Sequence, residues 1–131
     1  MSHIEMNILG EAGNDLLDRL KLLPHEVVGT LRIFSGQQGE YWVGIIPSLN
    51  VSGYGENEVD AFEALKENLD TFFEDLFQLS EAERGIAMAN IGWKTEKTFP
   101  KKFSNSYVDE QKVLKNFDHP EQVKKSILQT A

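Results

Sequence analysis

Carboxylates are the commonest groups able to do chemistry in this chain, with 21 Asp and Glu against 13 Lys and Arg and a formal charge of −8. Five of them, Asp60, Glu63, Glu67, Asp70 and Glu74, follow the spacing i, i+3, i+7, i+10, i+14 and so share one face of a helix. Glu63 with Glu67 and Asp70 with Glu74 are like-charge pairs one turn apart, each costing about 0.2 to 0.5 kcal/mol. Asp75 adds negative charge near the end of the helix where the dipole is already negative. A helix optimised for stability would interleave lysines. Two readings follow: a solvated face, tolerated because screened surface charges cost little, or a docking surface for a basic partner. Proton transfer and two-metal chemistry fit the pattern poorly, because they need carboxylates converging in a cleft from strand ends.

Other chemistry-bearing residues are scattered. His3, His25 and His119 lie far apart and in no metal-binding spacing. The chain has no cysteine, which removes disulfides, thiolate metal sites and a cysteine nucleophile together. Gly53-Tyr54-Gly55 superficially resembles a phosphate cradle, but lacks the Lys and Ser/Thr of a P-loop and the third glycine of a dinucleotide fingerprint, so it reads as a strand-to-helix turn. Lys94, Lys97, Lys101 and Lys102, near Trp93, Phe99 and Phe103, form the one basic-aromatic combination suited to nucleic acid. Glu96 interrupts it, and a lysine-protected strand edge explains it as well. Tyr41 and Trp42 are adjacent on a strand and must face opposite sides, so one enters the core and the other can mark a dimer or partner surface. These patterns predict no catalytic residue, no cofactor and no metal.

The elements that must position these residues can be read from periodicity. At 131 residues and 40% hydrophobic the chain supports one core. Leu16, Leu17, Leu20 and Leu23, stopped by Pro24, predict an N-terminal helix. Residues 27–34 and 41–46 predict a β-hairpin around the turn at 36–39, and 49–54 a short third strand. Phe62, Leu65, Leu69, Phe72, Phe73 and Leu76 form an apolar stripe that predicts a long helix over 58–79 covering one sheet face. Ser80 and Glu83 form a capping-box pattern opening a second helix to about Asn90. Residues 91–99 predict a fourth strand, and 107–117 and 120–130 two C-terminal helices.

No run of about 18 apolar residues and no signal-like N-terminus appears, so a cytoplasmic protein is expected. The net charge disfavours phosphate backbones and anionic membranes.

The order strand, strand, short strand, long helix, strand, together with residues 39–49 (GEYWVGIIPSL) and 55–61 (GENEVDA), resembles the HicB-like antitoxin family over about residues 26–79. In that family an aromatic strand ends in Pro-Asp-Leu and a Gly-Asp-Thr-like turn enters an acidic helix. The chain departs from it at Asn50-Val51-Ser52, where Pro-Gly-Cys is usual, and residues 107–131 lack the length and basic face of the DNA-binding module that many members carry. The resemblance implies a partly degraded ribonuclease-H-like fold and a bacterial antitoxin that masks a small basic messenger-RNA-cleaving toxin as a dimer or higher oligomer.

The expected fold is therefore α+β: a small antiparallel sheet of three strands, a long helix packed on one face, then a fourth strand, with N- and C-terminal helices. The expected units are a helical appendage over 1–24, a HicB-like core over 25–103 and a helical extension over 104–131. The expected function is a non-catalytic protein-binding module, homodimeric, using Asp60, Glu63, Glu67, Asp70 and Glu74 to hold a small basic toxin-like protein, without direct nucleic-acid or membrane contact. The alternative is a nucleic-acid-binding regulator without enzymatic activity.

Overall fold

The organising strand is β3, Glu26–Gln38, and its length follows from a run in which Val27, Leu31 and Ile33 point one way while Arg32, Phe34 and Gly36 point the other. In the computed structural model, which describes residues 6–11, 17–24, 26–96 and 103–130, both edges of β3 are paired. On one edge it pairs with β8, Lys124–Thr130, from Gly29 opposite Thr130 to Ser35 opposite Lys124. The other edge is shared in series by β2, Leu17–Leu23, which takes residues 26–30, and β4, Tyr41–Ile46, which takes residues 34–38. The sheet forks between them.

The remaining strands extend each arm. Beyond β8 lies β1, Met6–Glu11; beyond β2 come β7, Ser104–Tyr107, and β6, Lys94–Thr95; beyond β4 comes β5, Val51–Gly55. All eight strands form one sheet and every pairing is antiparallel.

Helix α1, Glu58–Phe77, starts at Asn57, whose side chain accepts from the Asp60 amide, and its stripe of Ala61, Leu65, Leu69, Phe73 and Leu76 is buried on the sheet. Helix α2, Glu81–Asn90, opens with the complete capping box of Ser80 and Glu83. Together they close the larger core over Leu20, Val27, Leu31, Ile46, Trp93 and Leu128. Each fully buried aliphatic or aromatic side chain there contributes about 1.5 to 3 kcal/mol. The opposite sheet face has a smaller core in which Phe34 meets Val108 and Phe117. It is covered by the segment around α3, Glu110–Leu114, and a 3-10 turn at Pro120–Gln122. The Asp118 carboxylate accepts from the Gly39 amide at 2.8 Å, and the Asp118 amide donates to the Gln37 carbonyl at 3.0 Å, pinning this segment to the β3–β4 turn.

Five expectations need correction. Among the described residues the sheet has eight strands rather than four. Of the leucines expected on a helix, Leu16 lies outside the described residues and Leu17, Leu20 and Leu23 lie on β2, where Asp18 and Leu20 are buried and Leu17 and Arg19 exposed, a two-residue period hidden because one buried member is an aspartate. Lys124–Thr130 is a strand in the sheet interior, paired on both edges, and the Pro120 helix start produces only the short turn. The expected helix over 107–117 is reduced to α3. Of the predicted fourth strand, Lys94–Thr95 pairs with β7 and residues 97–99 lie outside the described residues. Tertiary pairing overrides weak local helical patterns at both chain ends.

Candidate protein-binding face

Glycine brings α1 unusually close to the sheet. A Cβ on Gly53 would lie 2.2 Å from the Leu65 amide nitrogen, and one on Gly55 would lie 2.6 Å from the Asp60 Cβ. The Gly53-Tyr54-Gly55 motif is thus a seat for the helix backbone, with no phosphate-binding geometry. Its consequence is orientation. With Leu65, Leu69 and Phe73 locked against the sheet, the side carrying Glu63 and Glu67 points away from it, flanked by Asp60 beside Gly55 and by the half-buried Asp70 and Glu74.

The five acids lie along α1 but are not equally presented, and Asp70 has one carboxylate oxygen buried. Asp60, Glu63 and Glu67 are exposed, and Asp70 and Glu74 are half-buried. Glu58 and Asp60 complement the dipole in the first turn, but no basic residue occupies the last turn, where Asp75 is exposed. Asp60, Glu63, Glu67 and Glu74 form no ion pair with a described residue. Where this chain does neutralise surface acids, it does so elsewhere: Lys124 meets Glu58 at 2.9 Å and Lys125 meets Glu110 at 3.1 Å. Asp60, Glu63, Glu67 and Glu74 therefore make an anionic strip on α1 without ion pairs to described residues, about 21 Å long from the 1.5 Å rise over the 14 steps between Asp60 and Glu74.

Tyr41 and Trp42 divide as expected. Trp42 is half-buried on the α1 side, while Tyr41 is 49% exposed on the other face and packs edge-on against Tyr54, 66% exposed, at 5.4 Å between ring centroids. The pair stands on the β4–β5 arm, on the sheet face opposite α1.

The basic-aromatic cluster is not assembled among the described residues. Lys94 is exposed on β6, whereas Lys97, Lys101, Lys102 and Phe99 lie outside them. Trp93 is a core residue, 4% exposed, whose Nε1 donates to the Ser48 carbonyl at 2.7 Å. Glu96 is held by Arg19 through two hydrogen bonds of 2.9 and 3.0 Å, and the Arg19 guanidinium sits over the Phe103 ring at 4.6 Å. The Arg19 contacts, reinforced by Asn105, hold the Glu96 carboxyl below its ordinary pKa. His119 is exposed, 4.0 Å from Glu121, and His3 and His25 lie outside the described residues. No group of three or more potential metal ligands occurs among the described residues.

One constellation escaped the sequence. At the fork of the sheet, Asp18 accepts from the Arg32 amide at 3.2 Å, from Arg32 Nε at 3.1 Å and from the Ser48 hydroxyl at 2.6 Å. Glu110 approaches Arg32 Nη1 at 3.6 Å and continues to Lys125. Burial pushes the Asp18 carboxyl above its ordinary pKa, against the lowering pull of Ser48 and of the Arg32 amide and guanidinium. Asp18 replaces the strand partner that the fork denies to Arg32 and so knits three arms together. A lone Asp between Leu17 and Arg19 gives no sequence signal for this.

Comparison with family models, curated proteins and solved structures gives no match. No helix among the described residues is long and apolar enough to cross a membrane.

Proposed function

We propose that this chain is a non-catalytic protein-binding module, resembling the HicB-like antitoxins, that offers the outer face of α1 to a small basic protein and acts as a homodimer in the cytoplasm. The observation that carries this reading is the strip of Asp60, Glu63, Glu67 and Glu74, which form no ion pair with a described residue, on a helix whose other side is seated on glycines of β5. Long side chains of a basic partner would gain attraction along its whole length, and removing the like-charge repulsion within α1 would add to the gain. The strand, strand, strand, long-helix order of β3, β4, β5 and α1 supports the family analogy, and the exposed Tyr41–Tyr54 pair supplies a surface for a second copy.

Affinity capture from host lysate at low salt, with and without nuclease, followed by a high-salt wash, tests the reading. A small basic protein released by salt after nuclease treatment is the expected result. Release of nucleic acid alone would replace this reading with that of a nucleic-acid-binding regulator.

A further inference from the structure

On its inner side, the first half of α1 does not fill the space above the sheet. A cavity of about 130 Å³ remains there, between Ala61 and Phe62 of the helix and the strands β3, β4 and β8. The register accounts for its floor. Ile33 is opposite Ser126 and Ser35 opposite Lys124, so these side chains share the face below the helix, and Gly44 on β4 leaves that floor open. Trp42 completes the wall.

The neutral hydrogen-bonding side chains of this cavity have no partner among the described residues, and of them only Trp42 Nε1 is a fully buried atom. The hydroxyls of Ser35 and Ser126 bond to no described residue. The Trp42 indole Nε1 is buried with no acceptor. A buried donor left in this state costs about 1 to 3 kcal/mol, and interiors rarely tolerate it without a water or a ligand to relieve it. The charged groups, by contrast, are matched: Lys124 and Glu58 pair at 2.9 Å, each about half exposed, where the cavity meets solvent. Nothing inside selects for an ionised ligand. The walls are chiefly apolar and aromatic, and the volume approaches the roughly 150 Å³ in which an apolar protein cavity takes up benzene.

We propose that this cavity is a binding site for a small neutral aromatic alcohol of the phenol class. The ring packs against Phe62, Ile33 and Trp42, and the oxygen engages the two serine hydroxyls. Mostly apolar walls with a few converging polar groups are the usual composition of small-molecule sites. The proposal is independent of the outer face of α1 and of any protein partner.

The indole N–H resonances of the intact chain give the test, because it has only two tryptophans and Trp42→Phe identifies the relevant peak. Titration with phenol is expected to shift the Trp42 resonance saturably while that of Trp93 stays in place. Toluene, which lacks the hydroxyl, is expected to bind about tenfold more weakly, and Ser35→Ala with Ser126→Ala to abolish that preference. Gly44→Val narrows the cavity from its floor and should eliminate the shift. Gly44→Ala, whose added Cβ would only touch Leu65 Cδ2 at 3.4 Å, should weaken it in a chain that still folds. No saturable shift with phenol, equal affinity for toluene, or unchanged binding in Gly44→Ala would each overturn the proposal.

Discussion

Arg32 donates to Asp18 twice, from its backbone amide at 3.2 Å and from its guanidinium Nε at 3.1 Å, with the two side chains almost wholly buried where the sheet forks. The amide bond does the work of a missing strand, and the guanidinium bond supplies the counter-charge. Removing the second while keeping the first exposes the cost of the buried carboxylate. Arg32→Met is expected to lose about 3 kcal/mol at pH 7, measured by urea denaturation. The sign with pH follows from the raised Asp18 pKa: the folded chain takes up this proton more readily than the unfolded chain, so the group's contribution is present at low pH and is lost as pH rises through the folded value. The deficit of Arg32→Met should therefore shrink on acidification, and Asp18→Asn added to it should restore stability at pH 7.

Close approach of α1 to β5 predicts opposite responses to one chemical change. Gly53→Ala forces a Cβ into the Leu65 backbone and should cost about 3 kcal/mol. Gly85→Ala, at a position in α2 with nothing within 4 Å, should stabilise by about 1 kcal/mol. Chemical denaturation of the two variants side by side checks the pair.

The Arg19–Glu96 bridge gives a pH dependence of the reverse sign to that of Asp18. Glu96 is held below its ordinary value of 4.5 by Arg19 and then by Asn105, so its contribution is present above that value and lost as pH falls through the folded one. Glu96→Gln should lower the melting temperature slightly at pH 7 and leave it unchanged at a pH where Glu96 is protonated. Thermal melts at the two pH values measure it.

Tyr41 and Tyr54 make the aromatic surface assigned to a second copy. Tyr54→Asp is expected to convert a dimer to a monomer in light scattering without loss of helical circular dichroism, since Tyr54 is 66% exposed. A wild-type chain that is monomeric at all concentrations would remove the dimer from the account.

The middle of the chain was legible from its sequence and its ends were not. The α1 stripe, the Ser80–Glu83 box and the β3–β4 hairpin carry strong local signals, in apolar periodicity, reciprocal capping and turn chemistry. The acidic strip followed directly from helical spacing. Leu17–Leu23 and Lys124–Thr130 instead become strands because β3 offers them edges far away in sequence, and short segments with mixed periods cannot announce such partners. For the same reason the sheet was judged half its real width. Gly53 and Gly55 were read as turn residues because the constraint on them comes from Leu65 and Asp60 across the interface. Asp18 and Arg32, 14 positions apart, carry no local signal as a pair; only the fork makes them one.

The central claim is that the outer face of α1 holds a basic protein. Its most direct test is parallel capture from nuclease-treated host lysate on the wild-type chain and on Glu63→Lys, Glu67→Lys and Glu74→Lys combined, with circular dichroism confirming that both are folded. A small basic protein is expected on the wild type, released by salt, and none on the charge-reversed chain. Equal capture by the two chains with the same salt dependence would contradict it.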